Sequence, residues 1–373
     1  MRKTFQYRVT VSPSTESRLS NWLWLCRQLY NACLEQRIDA YKRCQKRVTW
    51  TKQADELVLL KSEFPEYKEV GSHVLQDVTR RLDKSFQNFF RRVKLGQKPG
   101  YPRFQGRDRY DSFTFPDKAG WSLDGRNLTI SKVGRLKLYL SRPVLGEIKT
   151  VTVKRSATGK WFVNFSCDKV PENILPENEK EIGIDVGLKV FLADSDGNFV
   201  DNPKFYRDSQ KDLRRKQRSL SRKKRGSNTR QKTKLLVAKH HEKVTNQRKD
   251  FTTKAARQYV QEYGTIYIED LRINNMVKNK HLSKSIADVS WGQFFNRLNA
   301  AAGEARRAVV RVNPRNTSQI CLCGEMVKKT LAVRVHKCPS CGLEIDRDTL
   351  AAKNILRFGQ NPQALTRPIG LVA

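Results

Sequence analysis

Apolar and polar residues alternate in several short segments of the first half of the chain, and alternation with a period of two predicts half-buried β-strands. The first segment is 5–10, and turn residues separate the later ones, at 112–115, 127–130, 135–140, 148–154 and 161–167. Their regular spacing predicts a compact β-barrel or sandwich. We expect the first strand to join that barrel, so that the residues between it and the later strands form an insertion.

The insertion shows the apolar spacing of helices, in which hydrophobic residues return every three or four positions. Three helices are predicted, at 16–46, 51–62 and 73–95. On the third, Phe86, Phe89 and Phe90 belong to an apolar stripe that we expect to lie in the core. Its other face is basic. Such a face is most often a solvated surface, but its position beside aromatic residues favours contact with nucleic acid.

A different pattern begins after an acidic, proline-containing linker at 171–181. Short apolar runs predict buried strands at 182–185, 190–194, 198–200, 265–268 and 308–312. Helical spacing predicts two strongly basic helices within 204–257, a helix at 290–307 and a last helix at 349–358, which Gly359 is expected to end. The tail at 360–373 contains two prolines and is expected to be flexible.

The composition is that of a globular protein. The 373 residues are enough for two or three domains, and 38% of them are hydrophobic, which excludes wholesale disorder. We find no apolar run that could span a membrane and no secretory signal region. Eight cysteines are too few for a disulfide scaffold, so we expect a protein of the reducing cytoplasm.

The charge points to a polyanionic partner. Lys and Arg total 73 and Asp and Glu total 37, which gives a formal net charge of +36. An anionic membrane surface is the competing partner, but neither end of the chain has an amphipathic basic helix with an aromatic insertion face. Nucleic acid is therefore favoured, with binding that weakens steeply as salt is added.

Four cysteines near the C-terminus have the spacing of metal ligands. Cys321 and Cys323 form one pair, and after fourteen intervening residues Cys338 and Cys341 form a C-x-x-C pair. Four thiolates suit one closed, tetrahedral, structural Zn²⁺ site. The first pair is one residue tighter than usual, and His336 is an alternative ligand. The other reading is four free cysteines.

Three carboxylates suggest a second metal site. Asp185 and Glu269 end two buried strands, and Asp348 lies at the start of the last helix. Neighbouring strands that end in carboxylates bring them together, and a helix that begins beside them adds a third. Three such charges require cations, and two Mg²⁺ or Mn²⁺ ions about 4 Å apart are the machinery of phosphodiester hydrolysis. Taken singly, each carboxylate could be a turn or helix-capping residue.

These residues, in this order, resemble the TnpB family of transposon-encoded, RNA-guided nucleases, which are related to type V CRISPR effectors. The matching motifs are 183–188 (GIDVGL), 268–271 (IEDL), 313–319 (NPRNTSQ), the cysteine pairs and 346–348 (DRD). Further matches at 86–90, 100–104, 284–288 and 291–292 extend the resemblance to nearly the whole chain. The sequence departs from the family's pattern in two places. The family has Asn at the position of Leu350, and two residues between the first two cysteines.

The resemblance implies an α/β fold plus a β-barrel: a RuvC nuclease domain of ribonuclease H-like fold with a zinc-ribbon insert, a wedge β-barrel and a helical recognition insertion. The implied domains are the wedge at 1–12 and 104–172, the recognition domain at 13–103, the RuvC domain at 178–315 and 346–359, the zinc-binding target nucleic-acid-binding insert at 316–345 and the flexible tail at 360–373.

The resemblance also implies roles for particular residues. By position, Asp185, Glu269 and Asp348 match the family's three catalytic carboxylates, and Arg315 matches an auxiliary basic position near them. The implied cofactors are two Mg²⁺ or Mn²⁺ ions and one structural Zn²⁺. The implied partners are a guide RNA from the transposon end and target double-stranded DNA, which is cut next to a short motif. We expect a prokaryotic, nucleoid-associated monomer that carries one RNA.

Contacts to nucleic acid are expected from two groups of side chains. The basic helices within 204–257 are expected to face the guide RNA and the heteroduplex backbone, and the segment 80–109 is expected to read the DNA motif. The candidate residues are Arg80, Arg81, Lys84, Gln87, Asn88, Arg91, Arg103, Arg214, Arg215, Arg218, Arg222 and Lys223.

Other functions remain open on the sequence alone. The runner-up is an RNA-guided DNA-binding repressor with weak or no cleavage, although relatives of that kind usually lose a catalytic carboxylate and all three are present here. A protein-only transposase is disfavoured by the order Asp, Glu, Asp with the cysteines before the last Asp. A structural RNA-binding protein would not need the three carboxylates.

Overall fold

The computed structural model describes residues 1–330 and 332–361, and the chain divides into two compact units, Met1–Pro171 and Glu172–Ala373. The first unit contains a seven-stranded antiparallel sheet. Its strands are β1 (Lys3–Thr10), β2 (Ser112–Phe115), β3 (Trp121–Asp124), β4 (Asn127–Ile130), β5 (Gly134–Leu138), β6 (Glu147–Arg155) and β7 (Trp161–Asp168). Six of them confirm sequence predictions, whereas β3 was not predicted.

The sheet is a curled half-barrel, and the prediction of a barrel is corrected in this respect. The strand order is β2-β6-β7-β1-β5-β4-β3, so β1 joins the later strands as expected, while β2 and β3 remain edges. Closure would require these two four-residue strands to pair with each other. Instead, the Arg81 side chain donates to the backbone carbonyl of Ser112 on β2 at 2.7 Å, which satisfies an edge acceptor without another strand.

The helices of the first unit are α1 (Pro13–Cys44), α2 (Trp50–Asp55), α3 (Leu57–Glu63) and α4 (Ser72–Lys94), with a 3₁₀ turn at Pro65–Glu69. The single helix predicted at 51–62 is therefore two helices that meet at Glu56. Ser12 begins α1 by accepting a hydrogen bond from the Thr15 backbone N–H. The Trp22 ring on α1 packs against Phe113 and Phe115 of β2, so helices and sheet share one core.

The second unit contains a five-stranded mixed sheet. Its strands are β8 (Glu181–Val186), β9 (Val190–Asp194), β10 (Phe199–Asp201), β11 (Thr265–Glu269) and β12 (Ala308–Val312), in the order β10-β9-β8-β11-β12. The β10-β9-β8 pairs are antiparallel, and the β8-β11-β12 pairs are parallel. All five strands were predicted. A small hairpin, β13 (Val335–Lys337) and β14 (Glu344–Asp346), lies in the cysteine-bearing segment.

The helices of the second unit are α5 (Phe205–Ser221), α6 (Asn228–Glu262), α7 (Ile273–Met276), α8 (Ser283–Val289), α9 (Trp291–Ala305) and α10 (Arg347–Gln360), of which α7 and α8 were not predicted. Because side chains alternate along a strand, each strand serves two faces of the sheet. Ile182, Ile184, Ile266 and Ile268 share a core with α6 and α9. Tyr267 and Val312 pack instead against Ile355 and Phe358 of α10.

Two glycines allow α10 to pack closely on this second face. A Cβ atom on Gly183 of β8 would lie 2.2 Å from the backbone oxygen of Ala352, and one on Gly359 would lie 1.9 Å from the Tyr267 ring. The prediction that Gly359 ends the last helix is therefore wrong. The helix continues to Gln360, whose side chain hydrogen-bonds Glu181, so Gln360 belongs to α10 and not to the predicted tail. The rest of that tail, from residue 362, lies outside the described residues.

Gly359→Ala is expected to destabilise the protein by about 3 kcal/mol, because the new methyl group overpacks the contact with Tyr267. The matched control is Gly303→Ala on α9, where a Cβ meets nothing within 4 Å. That change should stabilise by about 1 kcal/mol through helix propensity alone. Chemical denaturation followed by circular dichroism measures both, and equal effects would contradict the close packing of α10.

Candidate functional site

The strand register brings two of the three predicted carboxylates to one edge of the sheet. Ile184 of β8 and Ile268 of β11 are partners in the parallel ladder, so Asp185 and Glu269 follow at equivalent positions on neighbouring strands. Each of these residues follows an isoleucine whose side chain packs against α6 and α9. Because successive side chains of a strand point to opposite faces, Asp185 and Glu269 project to the other face of the sheet, where α10 packs. Asp348 lies in the first turn of α10. The structure thus brings all three residues together.

The electrostatics of the cluster are unfavourable without cations. The pKa of Asp185 is raised well above its usual value by burial and by the negative charges of Glu269 and Asp348, while Arg347 acts in the opposite direction. Burial likewise raises the pKa of Glu269, against a hydrogen bond from Thr317. Oxygen ligands of this kind prefer hard divalent cations. The donor set therefore suits Mg²⁺ or Mn²⁺.

The two aspartates of the 346–348 motif have different roles. Asp346 caps α10, since its Oδ1 accepts from the backbone N–H groups of Asp348 at 2.8 Å and Thr349 at 3.2 Å. Asp348 is left to face the cluster, where its Oδ1 accepts from Arg347 Nη2 at 3.0 Å and its Oδ2 lies 3.6 Å from Arg334 Nη1. The contribution of Arg347 was missed from sequence, although its position between two aspartates could have indicated it.

A second residue missed from sequence supports Glu269. The Thr317 hydroxyl donates to Glu269 Oε1 at 2.7 Å, and both residues are buried. The backbone oxygen of Thr317 accepts from Asn354 Nδ2 of α10 at 2.8 Å. Thr317 belongs to the 313–319 motif, which was the available signal.

The structure also places Arg315 and Leu350, the two other positions that the sequence resemblance to the TnpB family singled out. Arg315 is exposed, and its backbone N–H bonds Asn313 Oδ1. Within residues 1–330 and 332–361 its guanidinium makes no ion pair, so its auxiliary role stays a prediction. Leu350, where the family has Asn, is fully buried and packs as an apolar residue inside the second unit.

The four predicted zinc ligands converge. The sulfur atoms of Cys321, Cys323, Cys338 and Cys341 all lie within 4.8 Å of one another. Desolvation raises the pKa of Cys338. Hydrogen bonds from the backbone N–H groups of Cys341 and Ser340 and from the neighbouring thiols of Cys321 and Cys341 together lower it to about 7, which favours the thiolate that binds metal. His336, the alternative ligand, instead contacts Lys329 through Nδ1. The arrangement suits one structural Zn²⁺ bound by four thiolates.

The residues predicted to contact nucleic acid are mostly exposed in both units. On α4 and the loop after it these are Arg80, Lys84, Gln87, Asn88, Arg91 and Arg103, and on α5 and just beyond it they are Arg214, Arg215, Arg218 and Arg222, with Lys223 partly buried. Arg81 differs, because its guanidinium is bonded to Asp77, Ser112 and Thr114. These bonds favour a structural role for Arg81, while the other contacts stay predictions.

The aromatic stripe of α4 was predicted to be core, and the structure corrects this for Phe90. Phe86 packs against the core of the first unit, but Phe90 is 57% exposed. Its ring lies against Phe86 and Phe89, and Tyr101 closes the cluster from the loop after α4. Helical periodicity correctly places Phe90 on the apolar face of α4. That face continues beyond the point where the core of the first unit ends, so the Phe90 ring is exposed.

The 284–288 motif has a structural explanation. The buried carboxylate of Asp288 accepts hydrogen bonds from the backbone N–H groups of Tyr206 and Arg207 at the start of α5. It also accepts from Arg248 Nη2 of α6 at 2.7 Å. Asp288 therefore joins α5, α6 and α8, and it holds the basic helix α5 against the second unit.

Asp185→Asn is expected to stabilise the metal-free protein by about 1 kcal/mol near pH 8, although it removes a carboxylate of the cluster. Folding raises the pKa of Asp185 above its value in the unfolded chain. The free energy of unfolding of the wild type therefore falls as the pH rises from the unfolded-state pKa through the folded-state pKa. The gain over the wild type should therefore grow with pH and vanish in acid. Urea denaturation in EDTA at several pH values measures it.

The matched control is Asp194→Asn. Asp194 is equally an aspartate of the sheet, but its carboxylate accepts from the backbone of Asp196 and Asn198 and from the Tyr259 hydroxyl. An asparagine side chain would place its NH₂ group against these N–H and O–H donors. We therefore expect the free energy of unfolding to fall by about 2 kcal/mol. Destabilisation of the same size by both variants would contradict the electrostatic account of the cluster.

Comparison with known proteins identifies the family of this chain. Three family models match: "Probable transposase" (OrfB_IS605) at 164–280, "Cas12f1-like, TNB domain" at 291–355 and "Helix-turn-helix domain" at 1–46. A protein of Streptomyces pristinaespiralis named "Putative RNA-guided DNA endonuclease" is 32% identical over 367 residues, which cover 96% of this chain and 90% of that protein. This chain belongs to the TnpB family.

Two further matches also cover most of the chain. The Escherichia coli protein named "Putative RNA-guided DNA endonuclease InsQ" is 27% identical over 376 residues, 96% of this chain and 92% of that protein. A solved Cas12f1–sgRNA–target DNA complex contains a protein of similar fold, with a TM-score of 0.55 and 15% identity over 91% of this chain and 82% of its own. In this TnpB chain, residues 1–46 form β1 and the single long helix α1.

One further property concerns membranes. Among the helices in residues 1–330 and 332–361, none combines the length and apolarity needed to cross a bilayer.

Proposed function

We propose that this TnpB-family chain is an RNA-guided DNA endonuclease, which cuts both strands of guide-matched DNA next to a short motif. The observation that carries the proposal is the convergence of Asp185, Glu269 and Asp348 within a chain of net charge +36. A compact acidic site in a strongly basic protein suits metal-assisted chemistry on a polyanion. The names of the relatives from Streptomyces pristinaespiralis and Escherichia coli point to the same activity.

The three carboxylates would hold two Mg²⁺ or Mn²⁺ ions. When bound, such ions activate a water molecule and stabilise the leaving oxygen of the phosphodiester. Asp185 and Glu269 supply oxygen ligands from adjacent strand ends, and Asp348 supplies them from the start of α10. Arg347 adds a positive charge at Asp348 that limits repulsion among the carboxylates before the ions bind.

The domain assignment follows the same proposal. The sheet of the second unit, with three antiparallel strands followed by two parallel ones, supports a RuvC domain of ribonuclease H-like fold at 178–315 and 346–359. The cysteine segment at 316–345 is the zinc-binding insert. The half-barrel at 1–12 and 104–172 is the wedge, and the helices at 13–103 form the recognition domain.

Nucleic acids are the proposed partners of the basic surfaces. The exposed arginines of α5 suit the phosphates of a guide RNA transcribed from the transposon end and of its heteroduplex with DNA. The exposed amides of Gln87 and Asn88 suit base edges in the DNA motif. We propose one chain for each guide RNA, at the prokaryotic nucleoid.

The test is to co-express the chain with the DNA that flanks its gene, so that any guide RNA forms, and to purify the complex. Sequencing the co-purified RNA identifies the guide. A plasmid library with a guide-matched target beside randomised bases is then incubated with the complex, with Mg²⁺ supplied or withheld. The proposal predicts linear plasmid that requires Mg²⁺ and the guide match, from molecules that share one motif.

Two results would contradict the proposal. Absence of co-purifying RNA would remove the guided function. Guide-dependent binding without cutting would favour the repressor, and Leu350→Asn, which restores the family's residue, would then be the variant to test for recovered cleavage.

A further inference from the structure

Thr317 lies where the chain leaves the sheet for the cysteine-bearing insert, and its hydroxyl contacts a carboxylate of the site. Its Oγ1 lies 2.7 Å from Glu269 Oε1 and 3.3 Å from the Pro314 backbone oxygen. One hydroxyl hydrogen cannot serve both acceptors, and the bond to a carboxylate is shorter and stronger. We propose that Thr317 is a positioning residue that holds Glu269 for divalent metal binding, an inference that rests on the proposed function.

Thr317 is itself held from α10. The side-chain amide of Asn354 donates to the backbone oxygens of Thr317 at 2.8 Å and Ile320 at 2.6 Å, and Asn354 is fully buried. The residue before Thr317, Asn316, adopts a positive φ of 62°, which turns the chain at this point. Because α10 also carries Asp348, one helix fixes the third carboxylate directly and the second carboxylate through Thr317.

The bond to Thr317 solves a problem specific to this cluster. Without metal, the Glu269 carboxylate faces the carboxyl group of Asp185, and each disfavours a negative charge on the other. The Glu269 side chain has three rotatable bonds through which to move away. A donor on Oε1 restrains the carboxylate and leaves Oε2 for the cation. Hydrogen bonds that orient metal ligands are worth about 10-fold to 100-fold in metal affinity or activity.

Thr317→Val tests the proposal because it keeps the side chain's shape and removes the hydroxyl. In the guide RNA complex, the Mg²⁺ concentration for half-maximal cleavage should rise about tenfold or more, with a smaller change in rate at saturating Mg²⁺. Thr317→Ser, which keeps the hydroxyl, should restore the wild-type value. Thr252→Val is the matched control, since this buried threonine bonds the Arg248 backbone oxygen within α6.

A second readout does not depend on cleavage. Electron paramagnetic resonance measures Mn²⁺ binding to the complex, and the Asp185→Asn complex serves as the blank for Mn²⁺ bound to the RNA. Binding above the blank should be weaker in Thr317→Val. It should be unchanged in Thr317→Ser and Thr252→Val. Wild-type Mn²⁺ and Mg²⁺ dependence in Thr317→Val would overturn the inference. So would a Thr317→Ser complex as impaired as Thr317→Val. If the wild-type complex neither cut nor bound Mn²⁺ above the blank, the proposed function itself would fail.

Discussion

Asp185→Ala is expected to abolish Mg²⁺-dependent cleavage of a guide-matched plasmid, with a rate loss of at least about a thousandfold, equivalent to about 4 kcal/mol of lost transition-state stabilisation. The reason is geometric. Asp185 shares one strand edge with Glu269 and is held near Asp348, so its removal deletes the ligand that lies among the other charges. A gel assay of supercoiled, nicked and linear plasmid over time measures the loss.

The control for this variant is Asp201→Ala, an exposed aspartate on the far strand β10 of the same sheet. It should cut at the wild-type rate. Co-purified guide RNA should be equal in both variants, because the basic surfaces are unchanged. Retained cleavage in Asp185→Ala would contradict the assignment of the site, and loss of the RNA would indicate that the substitution damages the fold.

Cys338→Ser is expected to remove the zinc, reducing metal content from one Zn²⁺ per chain to nearly none. Structural zinc sites contribute about 10 kcal/mol or more to the folding of the segment that holds them, so the insert at 316–345 should lose its structure. Metal analysis by mass spectrometry gives the stoichiometry. Hydrogen exchange should become fast throughout β13, β14 and the turns at Gly324 and Gly342.

Cys44→Ser provides the matched control, because Cys44 is an exposed cysteine at the end of α1, outside the cluster. Its zinc content and hydrogen exchange should equal those of the wild type. Zinc retained at full stoichiometry in Cys338→Ser would contradict a four-thiolate site. Thr317 lies at the start of the insert and Arg347 follows its end, and they bond Glu269 and Asp348. The loss of zinc should therefore also lower cleavage.

Local periodicity explains why most elements were predictable. Apolar runs and alternation depend on neighbours in sequence, and they identified the strands of both sheets apart from β3 in the first unit and the hairpin β13–β14. The meeting of Asp185 with Glu269 was also predictable in kind, because carboxyl ends of adjacent strands share an edge. The register that places both on the face of α10 came from the pairing of Ile184 with Ile268.

Features that depend on distant residues were not predictable. Gly359 has the local signature of a helix end, but its role is set by the Tyr267 ring on another strand. Whether the first sheet closes into a barrel depends on what the backbone of its two short edge strands bonds, and on β2 the Arg81 side chain supplies one donor. The bonds from Thr317 to Glu269 and from Asn354 to Thr317 join residues from three elements, and no spacing in the sequence encodes them.

The most direct test of the central claim is to count the divalent ions at the carboxylates. The complex with guide RNA and a target made non-cleavable by phosphorothioate linkages would be titrated with Mn²⁺ and measured by electron paramagnetic resonance, with the Asp185→Asn complex as the blank. The account predicts two ions above the blank, with the spin coupling of a pair about 4 Å apart. Equal Mn²⁺ binding by the wild type and Asp185→Asn would contradict it.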